Sequence, residues 1–177
     1  MRLFVAITLP SEVKTYLYEL ERKFKDTKIA KLSLTSKKNL HITLKFLGDV
    51  PEKDLEFLKE KLRLITFKKF NLCLNSLELL PDKLSPRIIF AGVIPQEPLK
   101  KLQQLIDCET LELGEVKLGG HITLGRIKQI KQLPLFLQKL KTLNIDLLNF
   151  EVTTFSLFKS ELSKDGPTYT LLETYSL

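Results

Sequence analysis

The sequence contains two histidines, and both begin the same tetrapeptide, His-Ile-Thr-Leu, at residues 41–44 and 121–124. With this chain's usage of Ile, Thr and Leu, those three residues would follow a given histidine by chance on the order of one time in a thousand. Side chains alternate between the two faces of a strand, so the histidine and threonine of each copy point one way and the isoleucine and leucine the other. Two copies related by an approximate twofold axis would bring two imidazoles and two hydroxyls to opposite sides of one cleft.

Two imidazoles that face a common atom suit acid-base chemistry at phosphorus. A neutral ring can remove a proton from the nucleophile while a protonated ring supplies a proton to the departing oxygen. His41 and His121 are the candidate catalytic residues, and the near-symmetry of the two copies leaves open which is the acid and which is the base. Thr43 and Thr123 can donate hydrogen bonds to nonbridging phosphate oxygens, where negative charge collects in the transition state.

Arg126 and Phe46 are candidate substrate-binding residues beyond the two tetrapeptides. Arg126 follows His121 by five positions and can add a fixed positive charge to the same phosphate. Strict alternation would place it on the opposite face, so its participation requires Gly125 to break the register. Phe46 is expected on the histidine face, where its ring can stack on a base. An aromatic residue that closes the core is the competing interpretation of Phe46, and also of Tyr169 in the final strand.

Structural and metal-binding interpretations compete with catalysis. A single histidine in such a strand is usually half-buried and bonded to a backbone carbonyl, and threonine is an ordinary strand former, but the duplication favours chemistry. Zinc normally requires three or four protein ligands, and the chain has no third histidine and no HxH or HExxH spacing, so no metal site is expected. Ser76 and Ser156 also repeat, without the spacing of a nucleophile, and are interpreted as hydroxyls that bond within the sheet.

The elements that position the motifs also occur twice. Downstream of each histidine the offset stays at 80 residues, so Phe70 corresponds to Phe150; upstream it is 85, so Pro10 corresponds to Pro95. Each half reads strand, proline, helix, motif strand, helix, strand. We therefore predict an α+β fold with a bilobal pseudo-twofold duplication. Each lobe is expected to be an antiparallel sheet with helices packed on its outer face, and the active site is expected in the central cleft.

Local signals give the expected bounds of these elements. Ser11 is the predicted N-cap of a helix over residues 13–24. Further helices are predicted over residues 52–65, 97–108 and 131–143, and motif strands over residues 39–48 and 119–127. Gly119 and Gly120 are interpreted either as backbone freedom at a point where a bulky side chain would crowd an approaching ligand or as a simple loop.

Composition narrows the class of protein. The chain has 177 residues, of which 44% are hydrophobic and 28% charged, as expected for a globular domain rather than a disordered one. A net charge of +7 favours an anionic partner such as nucleic acid, although a solvated lysine-rich surface explains the charge equally well. Cys73 and Cys108 are isolated, so neither a disulfide nor a thiolate metal site is expected. No apolar run is long enough for a bilayer, and a cytoplasmic protein is expected.

The two motifs, the amino-terminal strand RLFVAI and the arginine after the second motif resemble the two-histidine phosphoesterases. Within them the chain is most similar to the bacterial and archaeal RNA 2',3'-cyclic phosphodiesterases, also called 2'-5' RNA ligases. NLHITLKFLGDV and GGHITLGRIK carry the resemblance, which covers essentially the whole chain as one two-lobed domain, residues 1–177. The family commonly has a proline directly before the second histidine, where this chain has Gly120.

The resemblance implies hydrolysis of an RNA 2',3'-cyclic phosphate end to a 2'-phosphomonoester, without metal or other cofactor. It also implies that His41 is the proton donor and His121 the proton acceptor. The expected partner is RNA or an oligonucleotide with a cyclic phosphate end, with no membrane and no obligate protein partner, and the protein is expected to be a monomer. Reversible 2'-5' ligation and a noncatalytic module that binds RNA ends are the alternatives. Two titrating groups argue against a module that only binds.

Overall fold

The computed structural model describes residues 1–25, 28–164 and 166–177, which form nine β-strands and four α-helices. The strands are β1 Arg2–Thr8, β2 Ala30–Leu34, β3 His41–Asp49, β4 Phe70–Leu80, β5 Ile88–Ile94, β6 His121–Ile130, β7 Asn149–Val152, β8 Thr154–Ser163 and β9 Gly166–Ser176. The helices are α1 Ser11–Phe24, α2 Leu55–Arg63, α3 Gln96–Glu109 and α4 Leu133–Thr142. Each predicted helix and both motif strands are confirmed, with ends shifted by a few residues, whereas β2 was not predicted.

The start of α1 differs from the prediction. Pro10 occupies the cap position and Ser11 is already the first helical residue, its carbonyl accepting a hydrogen bond from the Thr15 hydroxyl at 2.7 Å. Helix α3 begins in the same way, after Pro95. Proline fixes φ and favours the extended conformation in which each chain leaves its strand, so the repeated proline marks these helix starts. The prediction of Ser11 as the N-cap was wrong for this reason.

All nine described strands belong to one sheet, and every pairing among them is antiparallel. Their order is β7-β4-β5-β6-β3-β1-β8-β9, with β2 paired to β6. Strands β1, β3, β8 and β9 form the sheet of the first lobe, and β2, β4, β5, β6 and β7 form that of the second. The two lobes meet where Ile42 of β3 pairs with Ile122 of β6. The predicted antiparallel lobes are therefore present, but their sheets are continuous.

The strand pairing shows the pseudo-twofold relation between the two copies. Ile42 and Ile122 occupy matching positions in the two copies, so each pairs with its own counterpart. At the rim Asn71 likewise pairs with its counterpart Glu151, and on either side of that pair Phe70 faces Val152 and Leu72 faces Phe150. Strand β4 follows the first motif in sequence yet joins the sheet of the second lobe, while β8 follows the second motif and joins the first. The two halves are thus interlocked rather than linked end to end.

The helices cover one face of the sheet with apolar stripes. Helix α1 buries Val13, Leu17 and Leu20, and α3 buries Leu99, Leu102 and Ile106. Ile42 and Ile122 are completely buried in the same hydrophobic core, where each such side chain favours folding by about 1.5–3 kcal/mol. The packing face of both motifs therefore anchors the strands and leaves the opposite face open. No helix in the described ranges has both the length and the apolar character that crossing a membrane would require.

Candidate active site

The central strands bring the four predicted motif residues onto one face. Because β3 and β6 run antiparallel and their isoleucines pair, His41 lies across from Thr123 and Thr43 lies across from His121. All four side chains are half-buried, whereas the isoleucines and leucines between them are buried in the core. The structure therefore places two imidazoles and two hydroxyls together where the lobes meet.

Hydrogen bonds fix the ring of His41. Its Nδ1 lies 2.6 Å from the carbonyl oxygen of Asn39, which can only accept, so Nδ1 carries the hydrogen. The other nitrogen, Nε2, faces the site and lies 3.0 Å from the hydroxyl of Thr43. Asn39 is itself buried and donates from its side-chain amide to the carbonyl of Pro167 at 2.8 Å. Nε2 is therefore the nitrogen available for proton transfer.

Burial lowers the pKa of both histidines. For His41, burial is the largest cause; the positive charges of Lys14 and His121 also lower its pKa, while the hydrogen bond to Asn39 raises it. Burial likewise lowers the pKa of His121, whose ring centroid lies 4.9 Å from that of Phe90. Both rings are therefore mostly neutral near pH 7 in the free protein. A bound phosphate would raise both pKa values, because its negative charge favours the protonated ring.

A matching irregularity follows each motif. The register of β3 against β1 passes from Thr43 to Lys45, and the register of β6 against β5 passes from Thr123 to Gly125. Leu44 and Lys45 consequently both point into the core, each with 1% of its surface exposed. A β-bulge of this kind reverses the alternation beyond it, so the residue after each bulge returns to the histidine face.

Phe46 and Arg126 are those residues, and they occupy matching positions in the two copies. Phe46 is 60% exposed, and its ring lies 6.2 Å from that of Phe4. Arg126 is exposed, and its positive charge lowers the pKa of Tyr169 against the larger raising effect of burial. Strict alternation from Thr43 would have put Phe46 on the core side. The bulges therefore place Phe46 and Arg126 on the same face of the sheet as the two histidines.

The register of β6 breaks at Gly125, as the participation of Arg126 required, but a glycine is not needed to form the bulge. The first copy makes the same bulge with Lys45, which donates from its ammonium to the carboxylate of Asp107 at 2.6 Å and to the carbonyl of Thr110 at 2.9 Å. Glycine is favoured in the second copy because β2 approaches closely. A Cβ at position 125 would lie 3.1 Å from the carbonyl oxygen of Ser33, which is tighter than ordinary van der Waals contact.

Aromatic rings from three strands pack around His41. Phe4 of β1 lies 5.2 Å from the imidazole between ring centroids and stacks on Phe158 of β8 at 5.3 Å. Tyr169 of β9 meets His41 edge-on at 5.4 Å. The sequence left Tyr169 between a core role and a binding role, and the structure places it in contact with the first histidine. The contribution of Phe4 was not predicted.

Two unpredicted glutamines hold the glycines before His121. The side-chain amide of Gln103 accepts from the N–H of Gly119 at 2.8 Å and donates to its carbonyl at 3.0 Å; Gln96 bonds Gly120 with the same two distances. Gly119 has φ of 98°, and a Cβ on Gly120 would lie 2.8 Å from Ile42. Glycine is thus required by conformation and by the core, not by an approaching ligand as predicted. In the sequence, both glutamines fall on the apolar stripe of α3, and a polar residue at such a position indicates a buried hydrogen bond.

The remaining sequence candidates do not join the histidines. Ser76 donates to the carboxylate of Glu78 at 2.6 Å, and the hydroxyl of Ser156 lies 3.1 Å from that of Thr174. Bonding within the sheet therefore describes both serines. In the part of the chain that the structure describes, no group of three or more His, Cys, Asp and Glu side chains is arranged to hold a metal ion.

Sequence comparison connects this geometry to known proteins. The sequence model of the LigT-like phosphoesterases matches residues 7–90 and 94–169. An RNA 2',3'-cyclic phosphodiesterase of Methanocaldococcus jannaschii is 33% identical over 99% of this chain and 100% of its own length. The protein of the same name from Thermotoga maritima is 31% identical over 97% of this chain and 93% of its own.

Solved structures agree with the sequence comparison. The crystal structure of TT0787 from Thermus thermophilus superposes with a TM-score of 0.80 at 29% identity, covering 100% of this chain and 98% of the other. E. coli LigT complexed with NADP+ gives a TM-score of 0.76 at 25% identity, covering 99% and 96%. The fold class and the resemblance seen in the sequence are confirmed by these matches. The chain belongs to the LigT-like phosphoesterase family and is an enzyme of the phosphoesterase class.

Proposed function

We propose that this protein hydrolyses the 2',3'-cyclic phosphate at the end of an RNA to a 2'-phosphomonoester, with His41 and His121 as the acid-base pair. The observation that carries the proposal is the arrangement of two His-x-Thr segments on one open face across the Ile42–Ile122 pair. The name shared by the full-length relatives supports the cyclic phosphate as the substrate.

In the proposed reaction, His121 accepts a proton from a water molecule as the water oxygen bonds to phosphorus. The bond from phosphorus to the ribose 3' oxygen breaks, and that oxygen takes a proton from protonated His41 through Nε2. The 2' oxygen keeps the phosphate, which gives the 2'-phosphomonoester. His121 leaves the reaction protonated and His41 neutral, and exchange with solvent restores the starting states.

The hydroxyls and the arginine stabilise the charge that develops on phosphate. Thr43 and Thr123 donate hydrogen bonds to nonbridging oxygens, and Arg126 supplies a fixed cation on the same face. The phosphate in turn raises the pKa of His41, so the substrate itself favours the protonated acid that the reaction needs. Phe46 lies on the exposed rim of this face and offers its ring to the base.

The test is a reaction of purified protein with an oligoribonucleotide that ends in a 2',3'-cyclic phosphate, in buffer containing a strong chelator. We expect a product heavier by one water molecule with its phosphate on the 2' oxygen. The matched control is His41→Ala with His121→Ala in one chain, which excludes a contaminating nuclease. A 3'-phosphate product, or a rate that depends on added zinc or magnesium, would contradict the proposal. Joining to an added RNA with a 5'-hydroxyl would instead favour 2'-5' ligation.

A further inference from the structure

A cavity of about 190 Å³ opens beside His41, and its walls do not include His121. The cavity adjoins the imidazole of His41, which is the proposed proton donor to the leaving oxygen. Its lining combines apolar and basic side chains. We call Phe4, Phe158 and Tyr169 the aromatic wall, and Thr8, Lys14 and Lys38 the basic wall.

Lys14 lies in this wall without a compensating negative charge. Its side chain is half-buried on α1, and its ammonium donates to the carbonyl of Lys38 at 3.4 Å. Among the described residues, neither lysine lies within ion-pair distance of a carboxylate. Burial lowers the pKa of Lys14, as expected for a cation removed from water. An arrangement of this kind is unfavourable by itself and becomes favourable when an anion binds.

The geometry of displacement at phosphorus tells which anion fits. The attacking and leaving oxygens lie on opposite sides of the phosphorus atom, roughly in line. If His121 activates the water and His41 protonates the 3' oxygen, the ribose extends from phosphorus on the His41 side. A nucleoside on this side can keep its base near Phe46, whose ring adjoins Phe4, while its 5' oxygen enters the cavity that Lys14 and Lys38 line.

We propose that Lys14 and Lys38 form a binding subsite for the phosphate on the 5' oxygen of the nucleoside whose cyclic phosphate is hydrolysed. In an RNA this group is the first internucleotide phosphate, and the exposed hydroxyl of Thr8 is a further donor to it. The subsite rests on the proposed function and on the roles given there to the two histidines. The lysine itself is not repeated in the second copy, because the position that matches Lys14 in α3 is the buried Leu99.

Binding of two product analogues tests the subsite without requiring turnover. Adenosine 2'-monophosphate fills only the reacting site, whereas adenosine 2',5'-bisphosphate also carries the 5' phosphate. We expect the wild-type protein to bind the bisphosphate about tenfold more tightly at low salt, as charge-assisted contacts to a phosphate allow. Lys14→Met and Lys38→Met should each reduce this ratio, and the double variant should bring it close to one. Lys14→Arg keeps the charge and should retain most of the ratio.

The matched control is Lys100→Met, since Lys100 is an exposed lysine on α3 that lines neither the site nor the cavity. Equal affinities in the wild-type protein, or an unchanged ratio in the double variant, would overturn the subsite. A ratio that falls in Lys128→Met instead would place the 5' phosphate in the larger groove that Lys128 lines with Arg87 and Arg126. The two proposals can fail independently. If the protein does not hydrolyse the cyclic phosphate, the proposed function is wrong, but the ratio of the two affinities can still be measured and still tests the subsite.

Discussion

The two copies of the motif share a backbone and differ in what surrounds it. In the first, the bulge is fixed by the ammonium of Lys45 on Asp107, and aromatic rings pack around the histidine. In the second, Gly119 and Gly120 before the histidine are held by two glutamine side chains, and the bulge ends in the cation of Arg126. The same backbone device therefore presents a ring on one side of the cleft and a positive charge on the other.

This difference matches the two parts of a nucleotide. A base offers a flat apolar surface that stacks on an aromatic ring, and a phosphate offers negative oxygens that a guanidinium binds. Two identical lobes would favour a symmetric ligand. Because matching positions hold Phe46 in one lobe and Arg126 in the other, the cleft favours a ligand with an aromatic end and an anionic end. Substitution of Phe46 should therefore affect activity differently from substitution of Arg126.

The largest expected effect comes from the histidines. His41→Ala and His121→Ala should each lower kcat/KM on a cyclic phosphate by about 10²–10⁴-fold, the usual contribution of acid-base catalysis. An activated phenolate leaves without a proton, so His41→Ala should recover much of its activity on such a phosphodiester, while His121→Ala should not. The measurement is the ratio of kcat/KM for each variant on the two substrates.

Thr43→Ala and Thr123→Ala serve as controls for that comparison, since each removes one hydrogen bond from the same face. Each should cost less than the loss of the neighbouring histidine. Recovery of His121→Ala on the phenolate ester would exchange the two roles, and recovery of neither variant would contradict the division into acid and base.

Removal of Arg126 should have the next largest effect. Arg126→Ala is expected to lower kcat by about 10²–10³-fold, because a preorganised donor acts mainly where charge develops in the transition state. Arg126→Lys keeps the charge but loses the planar fork and should recover only part of the rate. Steady-state kinetics with Arg22→Ala, an exposed arginine on α1, provides the control. A loss confined to KM would mean that Arg126 only holds the substrate.

The cores of the two lobes differ at Glu21 of α1, which matches Ile106 of α3. Both carboxylate oxygens of Glu21 are buried without a hydrogen-bond partner among the described residues, and burial raises the pKa to about 8. Because the folded protein binds this proton more tightly than the unfolded chain, the associated stability is complete below pH 4.5 and is lost as the pH rises through 8. Glu21→Leu should therefore increase the free energy of unfolding by about 3 kcal/mol at pH 7.

Urea unfolding at mildly acidic, neutral and mildly alkaline pH measures this effect. The gain from Glu21→Leu should grow as the pH rises, because the wild-type protein then has to bury a charged carboxylate. Glu19→Leu is the control, since Glu19 is exposed on the same helix and should change stability little. A gain that is the same at every pH would contradict a buried titrating carboxyl.

Phe46→Ala should have a smaller effect than Arg126→Ala. Loss of one stacked base is worth about 1–3 kcal/mol, which corresponds to about 5- to 160-fold in kcat/KM. The loss should be confined to substrates that carry a base, and ribose 2',3'-cyclic phosphate should be hydrolysed at an unchanged rate. Phe57→Ala is the control, because Phe57 is 64% exposed on α2. An equal loss on the base-free substrate would indicate a structural role for Phe46.

The sequence predicted the parts of this comparison that depend on local spacing. Motif strands, helices and the order of elements follow from alternation, helical periodicity and the repeated proline. The bulges do not, since they depend on how β3 and β6 pair with β1 and β5, and residues distant in sequence decide that register. The break at Gly125 that Arg126 required is present, whereas Phe46 was expected on the histidine face although strict alternation places it on the core side, and only the bulge brings it there. Gln96 and Gln103 were missed because their partners are backbone groups of a loop.

The smallest expected effect concerns the pKa values of the two histidines, which set the pH dependence of the reaction. Both pKa values are lowered in the free protein, so the fraction with one ring neutral and one protonated falls as the pH rises above neutrality, and kcat/KM should fall with it. The phosphate of the bound substrate raises both values, so the alkaline limb of kcat should lie at higher pH than that of kcat/KM.

Lys14 allows the two histidines to be distinguished. Its positive charge lowers the pKa of His41, whereas the pKa of His121 is lowered by burial alone. Lys14→Gln should therefore move the alkaline limb of kcat/KM to higher pH, since His41 then holds its proton more tightly. The limbs belong to the coupled pair rather than to one ring, so the shift is compared with that of Lys100→Gln under identical salt. A shift to lower pH would contradict the sign of the interaction. An equal shift in both variants would mean that only the net charge of the protein matters, and the asymmetry between the lobes would then lie in Phe46 and Arg126 rather than in proton affinity.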